Sequence, residues 1–157
     1  MNIDLTRLRS GIDSFVNIDF NYSFDKEMLG NDIRALDNVK IIGEITRSNL
    51  DEYILNVNIK GTAILVCAIT LKDVPYDFNI ELNDSIINLY KDVGINIENI
   101  DNTIDILPII WQNIVMEIPT YVISPGASSI KLEGAGWSLN KTNKKENSEL
   151  SKLKDLF

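Results

Sequence analysis

Cys67 is the only cysteine in the 157 residues, and there is no histidine. A thiol without an imidazole lacks its usual activating base, and every Ser-His or Cys-His arrangement is excluded. Val66 and Ala68 flank Cys67, so it reads as a core thiol rather than a nucleophile. Asp101 and Asp105 stand before a helix start, where carboxylates favour the dipole and cap N–H groups. That role, or plain solvation, is expected of them in place of acid–base chemistry. No Asp-x-Asp-x-Asp-Gly loop for calcium is present. Gly134-Ala135-Gly136 lacks the third glycine of a dinucleotide loop and the Gly-Lys-Ser/Thr of a phosphate loop. The expectation is therefore no catalytic residue, no cofactor, no metal and no small-molecule substrate.

What remains is chemistry of binding. Lys141, Lys144, Lys145, Lys152 and Lys154 form a basic cluster interrupted by glutamates. Such a cluster either contacts phosphate or is a solvated tail. Trp137 lies in a glycine-flanked polar segment and is either a packing anchor for that loop or a binding contact. Leu153, Leu156 and Phe157 stand at helical spacing, as a docked helix or as a partner-binding face. The candidate partner-binding residues are Trp137, Lys141, Lys144, Lys145, Leu153, Leu156 and Phe157.

The elements that must position these residues are mostly strands. Val16, Ile18, Phe20, Tyr22 and Phe24 alternate with polar residues, the mark of a strand with one buried face. Ile3 and Leu5 suggest a short strand before it. Lys26 to Leu36 is ambiguous, with helical spacing weakened by Gly30. Val39 to Ile45 starts another strand, with Gly43 as a bulge or a close approach. Residues 53–71 read as one long strand bent at Gly61, apolar on both faces in its second half. Lys72-Asp73 turns the chain into a strand through Tyr76, Phe78, Ile80 and Leu82. Residues 83–103 read as a long loop with one short helical turn around Ile86 to Tyr90. Pro108 opens a helix whose stripe is Leu107, Trp111, Ile114, Val115 and Ile118, and Pro119 ends it. The expected fold is α+β: an antiparallel meander sheet or partial barrel covered by one main helix, with a loop-rich C-terminal tail. The expected core is Phe20, Tyr22, Val57, Ile59, Phe78, Ile80, Trp111 and Ile114. Residues 1–140 form the expected domain, and 141–157 a flexible basic tail with a short helix.

The length suits one domain, and 45% hydrophobic residues can build a core. No apolar run approaches the roughly 20 residues of a membrane span. The start, Met1-Asn2-Ile3-Asp4-Leu5, has neither segment of a secretory leader. With one cysteine, a cytoplasmic location is expected. The net charge of -8 is unevenly spread. Residues 1–130 hold 9 Lys+Arg against 19 Asp+Glu, and residues 131–157 hold 6 against 4. The acidic body repels nucleic acid and attracts basic partners, unless it serves solubility alone.

The order of several segments carries a resemblance. Val57 to Leu71 ends in Cys67-Ala68-Ile69-Thr70-Leu71. An acid-bearing strand and an acidic loop follow. Then come Ile104-Asp105-Ile106-Leu107-Pro108-Ile109-Ile110, Met116-Glu117-Ile118-Pro119 and Gly136-Trp137-Ser138-Leu139-Asn140. Over nearly its whole length the chain resembles the YceD family, the large ribosomal RNA subunit accumulation proteins. The resemblance implies a non-enzymatic role in 23S ribosomal RNA accumulation and ribosome assembly. Family genes often neighbour that of a small basic large-subunit ribosomal protein. The implied partner is such a protein or a pre-ribosomal particle, with direct ribosomal RNA binding through the lysine-rich tail as the alternative. Many members carry two cysteine pairs associated with zinc. Here Thr70 stands for the second cysteine of the first pair, and Ser124 to Leu139 holds none. One thiolate does not make the four N or S ligands of a structural zinc, so the chain resembles the cysteine-poor branch. Elemental analysis of the purified protein is expected to find no stoichiometric zinc.

Overall fold

One-sided alternation in the sequence becomes one-sided burial in the computed structural model. It describes residues 1–26, 29–30, 32–48, 52–97, 100–127, 133–134 and 137–138. Two units are separated, Met1–Ser124 and Pro125–Phe157. In the first, β1 (Asn2–Asp4) and α1 (Thr6–Arg9) precede the main sheet. That sheet is β2 (Phe15–Tyr22), β3 (Ile33–Arg47), β4 (Tyr53–Val66) and β5 (Asp73–Ser85). It is an open antiparallel meander in the order β2-β3-β4-β5. After it come α2 (Ile86–Asp92), β6 (Thr103–Asp105), which pairs with β1, and α3 (Leu107–Glu117). No helix of the described residues is long and apolar enough to cross a membrane.

The register explains the core. Phe20, Ile41, Ile59 and Ile80 form one cross-strand row, and Ile18, Gly43, Val57 and Leu82 the next on the same face. Every second residue of β4 from Tyr53 to Ile59, then Ala63 and Leu65, is buried. Gly43 is required by a close approach: a Cβ there would lie 2.0 Å from the Asn56 carbonyl oxygen. At Gly61 a Cβ would lie 2.8 Å from the Phe78 ring, which fills the space a side chain would take.

Several expectations are corrected. Phe20 lies in the core row yet is 39% exposed, because β2 is a sheet margin and no strand among the described residues covers its far side. Tyr22, Ile80 and Trp111 are only half-buried, whereas Val57, Ile59, Phe78 and Ile114 are core. The long strand stops at Val66 instead of Leu71. There the chain folds back, with Leu71 at a positive φ of 56° and the Cys67 N–H donating to the Lys72 carbonyl at 2.8 Å. Ile64 and Val66 are half-buried, so the second half of β4 is not covered on both faces. Lys26 to Leu36 contributes the start of β3 at Ile33 rather than a helix among its described residues. The expected loop after residue 83 begins later, because β5 runs to Ser85, while the expected helical turn around Ile86 to Tyr90 is present as α2, which buries Ile86, Leu89 and Tyr90.

The helix after Pro108 is α3, but its deep stripe is Ile106, Ile110, Ile114 and Ile118 with Ile109. Leu107 and Trp111 flank that line, and Val115 is 41% exposed. Isoleucines at every fourth position form a second stripe beside the expected one, and packing selects it. Trp111 instead lies against Phe24, ring centroids 5.2 Å apart. The Leu107 N–H donates to the Asp105 carboxylate at 3.0 Å, which also takes the Met1 ammonium at 2.6 Å. The Tyr90 hydroxyl donates to the Asp105 carbonyl and ties α2 to β6.

Ile59→Ala should cost about 2–5 kcal/mol by chemical denaturation, because it empties a fully buried site. Phe20→Ala should cost under about 1.5 kcal/mol, since much of that ring already meets water.

Candidate functional site

Two places in the described structure bring chemically distinctive groups together. The first is the turn after β4. Cys67 is fully buried, and its sulfur accepts the Thr70 N–H at 3.4 Å and the Ser124 N–H at 3.2 Å. The Thr70 and Ser124 hydroxyl oxygens lie 3.1 Å apart. The Ala68 N–H donates to the Val122 carbonyl at 3.0 Å. A four-residue turn and an irregular segment 54 residues away are thus laced together around one sulfur. Burial pushes the thiol up, but hydrogen bonds from Ser124 and Thr70 outweigh it and bring the pKa to about 6. Cys67 is the expected core thiol, and it also serves as an acceptor that holds two loops.

Sequence reading missed Ser124 as a partner of Cys67, because the two lie 57 residues apart and no local pattern joins them. One sulfur and two hydroxyls do not fit a four-coordinate structural zinc, and the sulfur already accepts two N–H groups. Among the described residues no group of three or more His, Cys, Asp or Glu converges on a metal-sized space.

The second place is the outer face of the main sheet. Asp19, Ile42, Asn58 and Glu81 form one row across it, and Asn17, Glu44, Asn56 and Asn83 the next. The surface is hollowed around Ile42, Glu44, Asn56, Asn58, Glu81 and Asn83. Among the described residues Asp19, Glu44 and Glu81 have no ion-pair partner. Lys40 and Lys60 stand together in the following row. The result is a polar, amide-rich face with three carboxylates that are free to meet cations.

Of the residues expected to bind a partner, only Trp137 falls in a described element. It belongs to β8 (Trp137–Ser138), which pairs with β7 (Glu133–Gly134), Trp137 opposite Gly134. Lys141, Lys144, Lys145, Leu153, Leu156 and Phe157 lie outside the described residues.

The family model described as "Large ribosomal RNA subunit accumulation protein YceD" matches residues 55–157. The chain belongs to the YceD family. That match takes in β4 from Leu55 on, β5, α2, α3 and the Cys67 turn. The chain is also 29% identical over 126 residues to the uncharacterized protein YlbN of Bacillus subtilis (strain 168), an alignment covering 76% of this chain and 72% of that one. No solved structure matches. The YceD family is named for ribosomal RNA accumulation and not for a catalysed reaction, which gives this chain a role connected with ribosomes.

The Cys67 turn makes a testable link between pH and stability. The folded thiol sits near 6 against an ordinary 9.0, so the native state binds fewer protons between those values. Its contribution is complete above pH 9 and is lost as pH falls through 6. The melting temperature should therefore rise from pH 6 to pH 9, and Cys67→Ala should remove that part of the slope. Iodoacetamide should label Cys67 far more slowly in the native protein than in guanidinium, because the sulfur is buried.

Proposed function

We propose that this YceD-family protein is a non-enzymatic, cytoplasmic ribosome-assembly factor. It supports large ribosomal RNA accumulation by binding a basic large-subunit ribosomal protein directly. The observation that carries this reading is charge placement. The excess of 19 acidic over 9 basic residues in 1–130 includes a sheet face whose Asp19, Glu44 and Glu81 have no cationic partner among the described residues. Free carboxylates on a solvent-facing sheet repel phosphate and steer lysine- and arginine-rich proteins. Trp137, Lys141, Lys144, Lys145, Leu153, Leu156 and Phe157 are the proposed supplementary contacts of the C-terminal segment. The apolar ones supply affinity that rim charges do not.

The experiment is a pull-down of the tagged full chain from growing cells, with and without nuclease. A basic ribosomal protein retained after nuclease, and released as salt is raised, is the expected result. Release of every ribosomal protein by nuclease, with purified ribosomal RNA still binding at physiological salt, would favour RNA recognition by the lysines instead.

A further inference from the structure

The two margins of the main sheet differ. Along β5 stand Pro75 and the carboxylates Asp73, Asp77, Glu81 and Asp84, and α2 and α3 pack against that strand. Proline, charge and covering helices are the usual defences of an exposed strand edge. The other margin, β2, has eight residues with one carboxylate, Asp19, and neither proline nor lysine. Among the described residues β2 pairs with β3 alone. Roughly half of its N–H and C=O groups therefore point away from the sheet, as the antiparallel pattern demands. Phe20, which shares its row with buried Ile41 and Ile59, stays 39% exposed at this edge, and Phe15 is 47% exposed.

An open edge of this kind is a template for an extended chain, whose main chain pairs and whose alternate side chains select. The two sides of β2 specify those side chains. On the inner side an added strand would lie beside Val16, Ile18, Phe20 and Tyr22. On the outer side it would lie beside Asn17, Asp19 and Asn21, with Glu44 one strand further in opposite Asn17. We infer that the free edge of β2 takes an extended, lysine- or arginine-bearing segment of a basic protein as a fifth strand. Apolar residues of that segment cover Phe20, and alternate basic ones meet Asp19 and Glu44. This rests on the proposed recognition of a basic protein and adds where, and in what conformation, that protein is held. A second copy of this chain fits less well, because β2 offers no cation to the Asp19 of its twin.

The test follows amide exchange in the full-length protein with a short peptide of alternating lysine and valine as probe. At saturation, exchange at the outward amides of residues 15–22 should slow by about tenfold or more. Asp19→Lys, at an exposed position, should weaken the peptide by about tenfold while leaving the thermal melt unchanged. A peptide of the same charge with proline at alternate positions has no N–H groups there to pair, and should give no protection at β2. Three results would overturn the inference: unchanged exchange at β2 with peptide bound, protection at β2 that appears on raising the concentration of this protein alone, or equal protection by an RNA oligonucleotide. If a basic ribosomal protein binds the full chain and leaves β2 unprotected, the location fails while the proposed function stands. If no basic protein is retained in the pull-down, the function fails independently of the peptide result.

Discussion

Everything in the Met1–Ser124 unit depends on burying one face of β4 and leaving the other wet. Leu55, Val57, Ile59, Ala63 and Leu65 point inward and are almost fully buried. Each of the larger four contributes about 1.5–3 kcal/mol on leaving water. β3 and β5 flank β4 and extend the same rows, so their alternation has to match it residue for residue. A slip of one residue would carry the inner rows to solvent and the asparagines to the core. Gly43 lets β3 come close enough for Asn56 and Val57 to hold that register. The helices α2 and α3 then need only cover a surface already fixed.

The wet face is a by-product of that burial. Because the inner rows supply the apolar area, the outer rows are free to carry Asp19, Glu44, Glu81 and the asparagines between them. A sheet buried on both faces would have no place for three carboxylates without an ion-pair partner among the described residues, since desolvating each would be costly. The acidity of the chain and its one-layer cover of helices are therefore linked. The same geometry leaves two strand margins. β5 carries proline, carboxylates and a cover of helices, whereas β2 carries neither proline nor lysine and pairs with β3 alone among the described residues.

The strands were legible because period-two alternation reports directly on which face is buried. Val57, Ile59 and Phe78 follow from that pattern alone. Phe20 does not, because alternation says which face a residue occupies and nothing of whether a neighbour covers it. The stripe on α3 was ambiguous for a different reason. Its sequence is apolar around much of the circumference, with Leu107, Ile109, Ile110, Trp111 and Ile114, so spacing alone permits two faces and tertiary packing decides. The short pairing of β1 with β6 spans a separation no local pattern encodes. Within the candidate site, the three carboxylates were visible only as net charge. Their placement on one face needed the register.

Cys67 shows how one buried sulfur can join two segments through hydrogen bonds alone. Backbone N–H groups donating to a sulfur at a tight turn stabilise a thiolate whether or not a cation stands beyond it. With threonine and serine facing that sulfur, the turn needs only hydrogen bonds. Thr70 and Ser124 contribute both backbone donors to the thiol and a hydroxyl contact to each other. The join between the β4–β5 turn and the segment at Val122–Ser124 therefore rests on neutral groups and one thiol. Such a join strengthens as the thiol ionises and weakens as it protonates. A metal-held join would instead respond to chelators, so the absence of a chelator effect combined with a pH-dependent melt would separate the two designs in one protein.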